Sequence, residues 1–237
     1  MRHKKLYALC LAVTMYGSMA AEAHIPPLLI TSQAGDFISQ MEVWDEEVTG
    51  DTISLAAVDL DMDGKMELLV SQFAGTAVSS RTKVYTFDED GYVVPVQEAG
   101  DQDRPLPVDF YFMETVPCLH HIEEDHYIYG GVNPARFGNQ TQVLFGYNHG
   151  VFWWRDIARC EPDGLYYSGD SLISEEEYEK AIDTYFETYG TDGMRKEAHF
   201  QWLTFTPSEY EAWKQGDFYE KRSGLYDSYV AFENSME

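Results

Sequence analysis

Positively charged residues are scarce in this sequence. Its 237 residues include 16 lysines and arginines against 41 aspartates and glutamates, so the formal net charge is −25. Contacts between Lys or Arg and phosphate groups dominate binding to nucleic acid and to anionic membrane surfaces. We therefore expect no nucleic-acid partner, and we expect cations or basic protein surfaces to be favoured.

Long apolar runs are also missing, except at the N-terminus. Residues 1–23 combine a basic start, an apolar run from Leu6 to Met19 and small residues at their end, which predicts a secretory signal peptide. The alternative, a lipid anchor on Cys10, would cut that apolar run short. No later stretch approaches the roughly eighteen apolar residues of a membrane helix, so we expect no membrane insertion of the mature chain. The expected location is secreted or on the exterior of the cell envelope.

Residues 24–237 are expected to form a single domain. Their net charge is −27, because three cations and one anion leave with the signal peptide. Cysteine is rare in this domain: Cys118 and Cys160 are present, and an exported protein can join such a pair in a disulfide. The sequence does not show whether the two thiols meet, so a disulfide and two free thiols both stay open.

Much of the domain has a β-rich pattern. Residues 24–35 are predicted to be extended, and Asp36 is predicted to cap a short amphipathic helix. From about residue 53 to 160, short segments rich in apolar and aromatic residues are separated by turn sequences, such as Asp88–Gly91 and 148–150. This pattern predicts an antiparallel sheet.

The C-terminal part has a helical pattern instead. Ser174–Glu177 and Thr206–Glu209 have the sequence of capping boxes, which mark helix N-termini. Residues 172–237 are predicted to be helical, with the last helix in pieces around Gly224. The predicted fold class is α+β, with an antiparallel β-rich region followed by C-terminal helices.

An acidic turn lies between two predicted strands. Its carboxylates alternate along the chain and then close on a glutamate, and Gly64 permits a sharp reversal. Calcium takes about six to eight oxygen ligands, so such a turn is a suitable cage for it. The expected ligands are the side chains of Asp59, Asp61, Asp63 and Glu67 and the backbone carbonyl of Lys65. The alternative is a solvated acidic turn that binds nothing.

The segment VDLDMDGKMELLV, residues 58–70, resembles the calcium loop of FG-GAP or VCBS-type repeats, which occur in integrin alpha subunits and in secreted bacterial proteins. The resemblance implies the ligand set given above. An EF-hand is disfavoured, because its twelfth position, counted from Asp59, would be Val70 instead of a glutamate. A propeller needs several repeats, and one copy is present, over about residues 52–96, so a full propeller is not expected. The chain is also similar to small exported bacterial proteins, which implies a compartment and no reaction.

A second group of possible metal ligands lies between two predicted strands. Histidines and carboxylates of this kind can hold zinc, but their spacing fits neither H-E-x-x-H nor H-x-x-E-H. The alternative interpretation is a charged turn. The group consists of His120, His121, Glu123, Glu124, Asp125 and His126.

The β-rich region also contains many aromatic residues. On an exposed sheet face they would stack against sugar rings, whereas alternating strands bury about half of their side chains and would place them in the core. The core interpretation is favoured. The residues are Tyr111, Phe112, Tyr127, Tyr129, Phe145, Tyr147, Phe152, Trp153 and Trp154.

No catalytic motif accompanies the acidic turn. The sequence has no G-x-S-x-G elbow, no glycine-rich phosphate loop and no cysteine within a nucleophile motif. The leading hypothesis is an exported, non-catalytic binding protein with a structural calcium ion, whose partner is a protein or a glycan. The alternative is a secreted hydrolase, directed at glycans, that carries a structural calcium.

Overall fold

Two stacked antiparallel β-sheets and the helices on their outer faces make up the fold. The predicted α+β class, without a full propeller, is confirmed. The helices in the described ranges are too short or too polar to span a membrane. The predicted signal peptide lies outside those ranges. The computed structural model describes residues 27–45, 50–74, 79–98, 101–105, 114–121, 126–134, 140–148, 150–189 and 193–237.

The first sheet, sheet A, has five strands, and the second, sheet B, has seven along its main path. Sheet A has the order β14-β1-β2-β3-β4, with β1 (Thr52–Val58), β2 (Glu67–Ala74), β3 (Ser79–Phe87), β4 (Val93–Pro95) and β14 (Leu203–Phe205). Sheet B has the order β12-β11-β10-β9-β8-β7-β13, with β7 (Thr115–His121), β8 (His126–Pro134), β9 (Gln140–Asn148), β10 (Val151–Cys160), β11 (Tyr166–Ser168), β12 (Ser171–Ile173) and β13 (Gly193–His199). Two short strands extend sheet B: β5 (Gln97–Glu98) pairs with β10, and β6 (Asp101–Pro105) pairs with β5.

Helices cover the outer face of each sheet. The helices are α1 (Pro27–Ser39), α2 (Met41–Trp44), α3 (Glu175–Glu179), α4 (Ala181–Tyr189), α5 (Pro207–Lys214) and α6 (Phe218–Met236). Residues of α1, α2, α5 and α6 share a core with sheet A, and residues of α4 share one with sheet B. The long helix α6 also contributes to the core between the sheets.

Sheet A is buried on both faces. On β1, Ile53, Leu55 and Ala57 point into the core shared with the helices, while Ala56 and Val58 point towards sheet B. Successive side chains of a strand point to opposite faces, so a strand that is apolar at nearly every position needs cover on both sides. The helices and sheet B provide that cover.

The N-terminal helix begins earlier than predicted. α1 starts at Pro27, whose fixed φ suits the first helical position. Ile30 and Phe37 on this helix are buried against sheet A. The prediction that residues 24–35 are extended is therefore wrong from residue 27 onward, and Asp36 lies inside the helix and does not cap it. The apolar stripe of the helix starts before Asp36.

Both capping boxes are confirmed, at the N-termini of α3 and α5. The predicted hairpins are confirmed as well: β3 and β4 pair around Asp88–Gly91, and β9 pairs with β10 across 148–150. The prediction that the last helix is in pieces is wrong, since α6 runs unbroken through Gly224. A Cβ at that position would lie 3.2 Å from Leu203 Cδ1, so glycine allows the helix to approach β14 closely.

Strands interrupt the C-terminal part that the sequence predicts to be helical. β12 lies at the start of this part of the chain. β13 is an edge strand of sheet B and β14 is an edge strand of sheet A, so the chain between β13 and β14 passes from one sheet to the other. Edge strands carry polar residues, as the β13 sequence GMRKEAH does, and such a sequence lacks a strand-like apolar run. The helical prediction for residues 172–237 is corrected accordingly.

The core interpretation of the aromatic residues is confirmed for the five that lie fully between the sheets. Stacked or edge-to-face contacts join several of them, with ring centroids of Tyr129 and Phe145 5.2 Å apart. Trp153 and Trp154 are half-buried, and residues 111 and 112 lie outside the described ranges. The five buried residues are Tyr127, Tyr129, Phe145, Tyr147 and Phe152.

The two cysteines do not form a disulfide. Cys118 lies on β7 and Cys160 on β10, with β8 and β9 between them. Three strand spacings of about 4.8 Å separate β7 from β10, and Cys160 lies six residues along β10 from Trp154, the residue level with Cys118. The two cysteines are therefore far beyond the roughly 7 Å that a disulfide can bridge. Burial raises the pKa of the Cys118 thiol, which keeps it protonated and unreactive.

The side chain of Ser228 joins α6 to sheet A beyond the end of β14. Its Oγ accepts a hydrogen bond from Ala57 N at 2.9 Å and donates one to Gln201 O at 2.7 Å. The registered pairs between β14 and β1 stop at Leu55, so the hydroxyl satisfies strand groups that lack a neighbouring strand.

We predict that Ser228→Ala lowers the free energy of unfolding by about 1–3 kcal/mol, because it leaves buried backbone groups without a partner. Chemical denaturation monitored by circular dichroism measures the change. The matched control is Ser223→Ala, at an exposed position of the same helix, which should change stability by less than about 0.5 kcal/mol. Equal losses in the two variants would contradict the assignment.

Candidate metal centre

The acidic turn connects β1 and β2, and its apolar side chains pack into the cores on both faces of sheet A. The last registered pair before the turn is Val58 with Glu67. Within the turn, Leu60 is buried in the core between the sheets, and Met66 is buried in the core under α1. The polar residues of the turn are therefore held between two anchored apolar side chains.

Three carboxylates of this turn come together. Ligand-capable oxygens of Asp59, Asp61 and Glu67 all lie within 4.8 Å of one another, which is close enough to share one ion. Asp59 and Glu67 are each only 1% exposed, and Asp61 is half-buried. In the part of the chain that the structure describes, no other cluster of His, Cys, Asp or Glu side chains has this geometry. Sequence spacing predicted all three residues.

Backbone N–H groups already contact two of these carboxylates. Asp59 accepts hydrogen bonds from Asp63 N and Gly64 N, both at 3.0 Å, one on each carboxylate oxygen. Glu67 Oε2 accepts one from Leu60 N at 2.8 Å. Each carboxylate oxygen has two acceptor positions, so a single backbone bond does not use up the capacity of the oxygen that accepts it.

The other two predicted ligands are not part of this group of three. The carboxylate of Asp63 accepts a hydrogen bond from Lys65 N at 2.8 Å through Oδ1, a short-range contact that tightens the turn. Ligand roles for Asp63 and for the carbonyl of Lys65 stay predictions.

The backbone of the turn uses left-handed conformations at two positions. Gly64 has a φ of 89°, as the sequence predicts for a sharp reversal, and Met62 has a φ of 56°. A non-glycine residue rarely adopts a positive φ, and such strained residues persist where the surroundings fix them. The half-buried Met62 side chain packs against the core between the sheets, which supplies that constraint.

A glutamine on α1, which the sequence analysis missed, holds the turn from one side. Gln33 donates from Nε2 to Gly64 O at 3.1 Å and accepts at Oε1 from Met66 N at 2.6 Å. Seven residues further, Gln40 makes the same pair of contacts with Gly91 O and Val93 N of the β3–β4 turn. The sequence signal for Gln33 is a polar residue within the apolar stripe of a helix. That signal can be read only after the helix itself has been predicted.

Hydroxyl groups from other elements surround the carboxylates. Thr86 on β3 donates to Glu67 Oε1 at 3.4 Å, and Tyr129 on β8 donates to Leu60 O at 2.7 Å. Burial, followed by the nearby charges, raises the pKa of Tyr147 and of Tyr229, whose largest charged influences are Glu67 and Asp59 respectively. Both sheets and α6 therefore meet at this turn.

The buried carboxylates are electrostatically costly without a cation. Burial raises the pKa of Asp59 from 3.8 to about 8, and the charges of Asp61 and Asp63 act in the same direction. Burial, followed by the charge of Asp59, raises the pKa of Glu67 as well. Hydrogen bonds from the backbone lower both values but do not cancel the effect of burial. A bound cation would compensate this charge.

The predicted zinc alternative is described only in part. His120 is buried and stacks on Tyr127, with ring centroids 4.4 Å apart and an interplanar angle of 6°. Residues 122–125 lie outside the described ranges.

Comparisons with known proteins give no family for this chain. A scan against protein-family models, a search of curated proteins and a search of solved structures each returned no match. Metal binding at this turn is therefore inferred from the geometry of the turn alone.

We predict that the metal-free protein loses stability as pH rises from about 4 to about 8. The raised pKa of Asp59 favours folding while the carboxyl is protonated, a contribution fully present below 3.8 and lost as pH passes about 8. Asp59→Asn cannot titrate, so its melting temperature in chelator should fall less steeply over this range. Parallel pH profiles for the two proteins would contradict the prediction.

We also predict that Gln33→Met weakens cation binding by up to about thirtyfold, because it removes two hydrogen bonds that shape the turn, each worth about 1 kcal/mol. Calcium titration followed by calorimetry measures the affinity. Gln40→Met is the matched control: it removes the same two kinds of contact from the β3–β4 turn and should leave calcium affinity unchanged. An equal loss in both variants would show a general effect on α1 instead.

Proposed function

We propose that this protein is an exported, non-catalytic binding protein in which the β1–β2 turn holds a structural calcium ion. The observation that carries the proposal is the convergence of three carboxylates within 4.8 Å, two of them almost completely buried. The full ligand set in this proposal is the side chains of Asp59, Asp61, Asp63 and Glu67 and the carbonyl of Lys65. It resembles the calcium loop of FG-GAP or VCBS-type repeats, as a single repeat.

The chemistry of the donors supports calcium over softer metals. All proposed ligands are oxygen atoms, and carboxylates with a backbone carbonyl suit hard cations, whereas zinc and copper favour nitrogen and sulfur. The strongly acidic composition of the chain supports cation binding in general, since it raises the local concentration of cations.

The burial of the turn supports a structural role for the ion. Asp59 and Glu67 are 1% exposed, and both accept hydrogen bonds from the backbone of their own turn. A general acid or base must come within about 3 Å of a substrate atom, which such buried groups cannot reach without unfolding the turn. The runner-up hydrolase would therefore need a catalytic site elsewhere.

We predict that calcium raises the melting temperature of the metal-free protein at pH 7.5. A ligand at about 100 times its Kd stabilises by about 2.7 kcal/mol, which corresponds to roughly 5–10 °C for a domain of this size. Differential scanning fluorimetry in chelator and in millimolar calcium measures the shift. Magnesium at the same concentration should give a smaller one, because it demands a tighter octahedral shell.

Asp61→Asn should remove most of the calcium-induced shift, since it takes a charged ligand from the group of three. Asp90→Asn, in the exposed β3–β4 turn, changes the overall charge equally and serves as the matched control. No shift at millimolar calcium in the unaltered protein would refute the calcium assignment.

A further inference from the structure

A cleft of about 370 Å³ opens at the end of sheet A that lies opposite the acidic turn. Thr52 and Phe73 pair at the cleft end of β1 and β2, whereas Val58 and Glu67 pair at the turn end. Six residue steps along β1 separate the two ends, which is about 20 Å at the rise of a strand. The cleft is therefore a separate place from the proposed metal centre, and its volume suits a small ligand.

A row of hydroxyl groups crosses the sheet at this end. Thr204, Ser54, Ser71 and Thr82 stand on four adjacent strands and are register partners of one another, in that order. The hydroxyl oxygens of Ser54 and Thr204 are 2.9 Å apart, and Thr82 donates to Ser71 at 3.1 Å. The first three residues of the row line the cleft.

These hydroxyls keep hydrogen-bonding capacity for a ligand. A hydroxyl has one donor and two acceptor positions, so a pair joined by one hydrogen bond retains one donor and three acceptor positions. Adjacent donors and acceptors of this kind match a molecule that itself carries several neighbouring hydroxyls. A purely apolar ligand would leave the exposed members of the row without water or a partner.

Aromatic side chains and a carboxylate complete the cleft. Trp202 is half-buried in the segment that crosses from β13 to β14, and Phe73 is 36% exposed. Both line the cleft, as does the exposed Glu114, whose backbone carbonyl accepts a hydrogen bond from Phe200 N at 2.7 Å. Among the described residues that line the cleft none is cationic and Glu114 is acidic, which disfavours an anionic ligand.

We propose that this cleft binds a neutral saccharide. One face of a pyranose ring stacks on the indole of Trp202, because its C–H groups carry partial positive charge and the face of the indole is negative. The ring hydroxyls bond to Ser54, Thr204 and the carboxylate of Glu114. This inference rests on the binding function proposed above and adds the class of ligand and the place where it binds.

The experiment is calorimetric titration of the full chain, in millimolar calcium, with cellohexaose, xylohexaose, mannohexaose, maltohexaose and chitohexaose. At least one should bind. Trp202→Ala should weaken that binding by at least about tenfold, since stacking on an indole is lost. Thr204→Val replaces an exposed threonine by a residue of the same shape without a hydroxyl. It should weaken saccharide binding by about fivefold, because one hydrogen bond is lost. Tyr92→Ala, at an aromatic residue 64% exposed in the β3–β4 turn, is the control and should bind as the unaltered protein does.

Melting temperatures of all variants in calcium establish that each is folded. Because Trp202 packs against the core, Thr204→Val decides the result if Trp202→Ala is unfolded. Binding of none of the five probes, or equal binding by unaltered protein and folded cleft variants, would overturn the inference. The calcium-induced melting shift would still stand in that case. Conversely, chromatographic detection of saccharide cleavage would overturn the non-catalytic function while leaving the binding site in place.

Discussion

The burial of two carboxylates, Asp59 and Glu67, is the constraint on which the rest of this structure depends. An isolated buried charge is costly, so both groups need hydrogen bonds, and each must be protonated or meet a compensating charge when the turn is folded. The backbone provides part of this through the N–H groups of Leu60, Asp63 and Gly64. These bonds exist only when the turn is fully curled, which couples the charge of the site to its shape.

Elements distant in sequence stabilise that curled shape. Gln33 on α1 contacts the turn from the helical side of sheet A, and Tyr129 on β8 contacts it from sheet B. The equivalent contacts of Gln40, which caps α2 directly after α1, fix the neighbouring turn. The N-terminal helical segment therefore aligns two turns at the same end of the sheet. A disturbance of the acidic turn would therefore spread to both cores.

Sequence patterns predicted the local features of this chain, but they did not predict its long-range contacts. The capping boxes and hairpin turns depend on residues within a few positions of each other, and these predictions are confirmed. The spacing of the acidic residues is local as well, which is why Asp59, Asp61 and Glu67 could be predicted to converge. The contact between Tyr129 and Leu60, by contrast, joins residues 69 positions apart and leaves no local signal. The edge strands β13 and β14 were missed because a partner strand, and not their composition, makes them strands.

The polarity of the sheet A face that points to sheet B changes along the strands. This face links the two proposed sites. Glu67 and Thr86 lie at one end, apolar residues such as Leu69 lie in the middle, and the hydroxyl row lies at the other end. A cation at the turn cannot touch a saccharide about 20 Å away along the strands. It can fix the register of β1 against β2, and a slip of one residue would turn Ser54 away from the cleft. In the proposed function, calcium thus acts on ligand binding through strand register and not through contact.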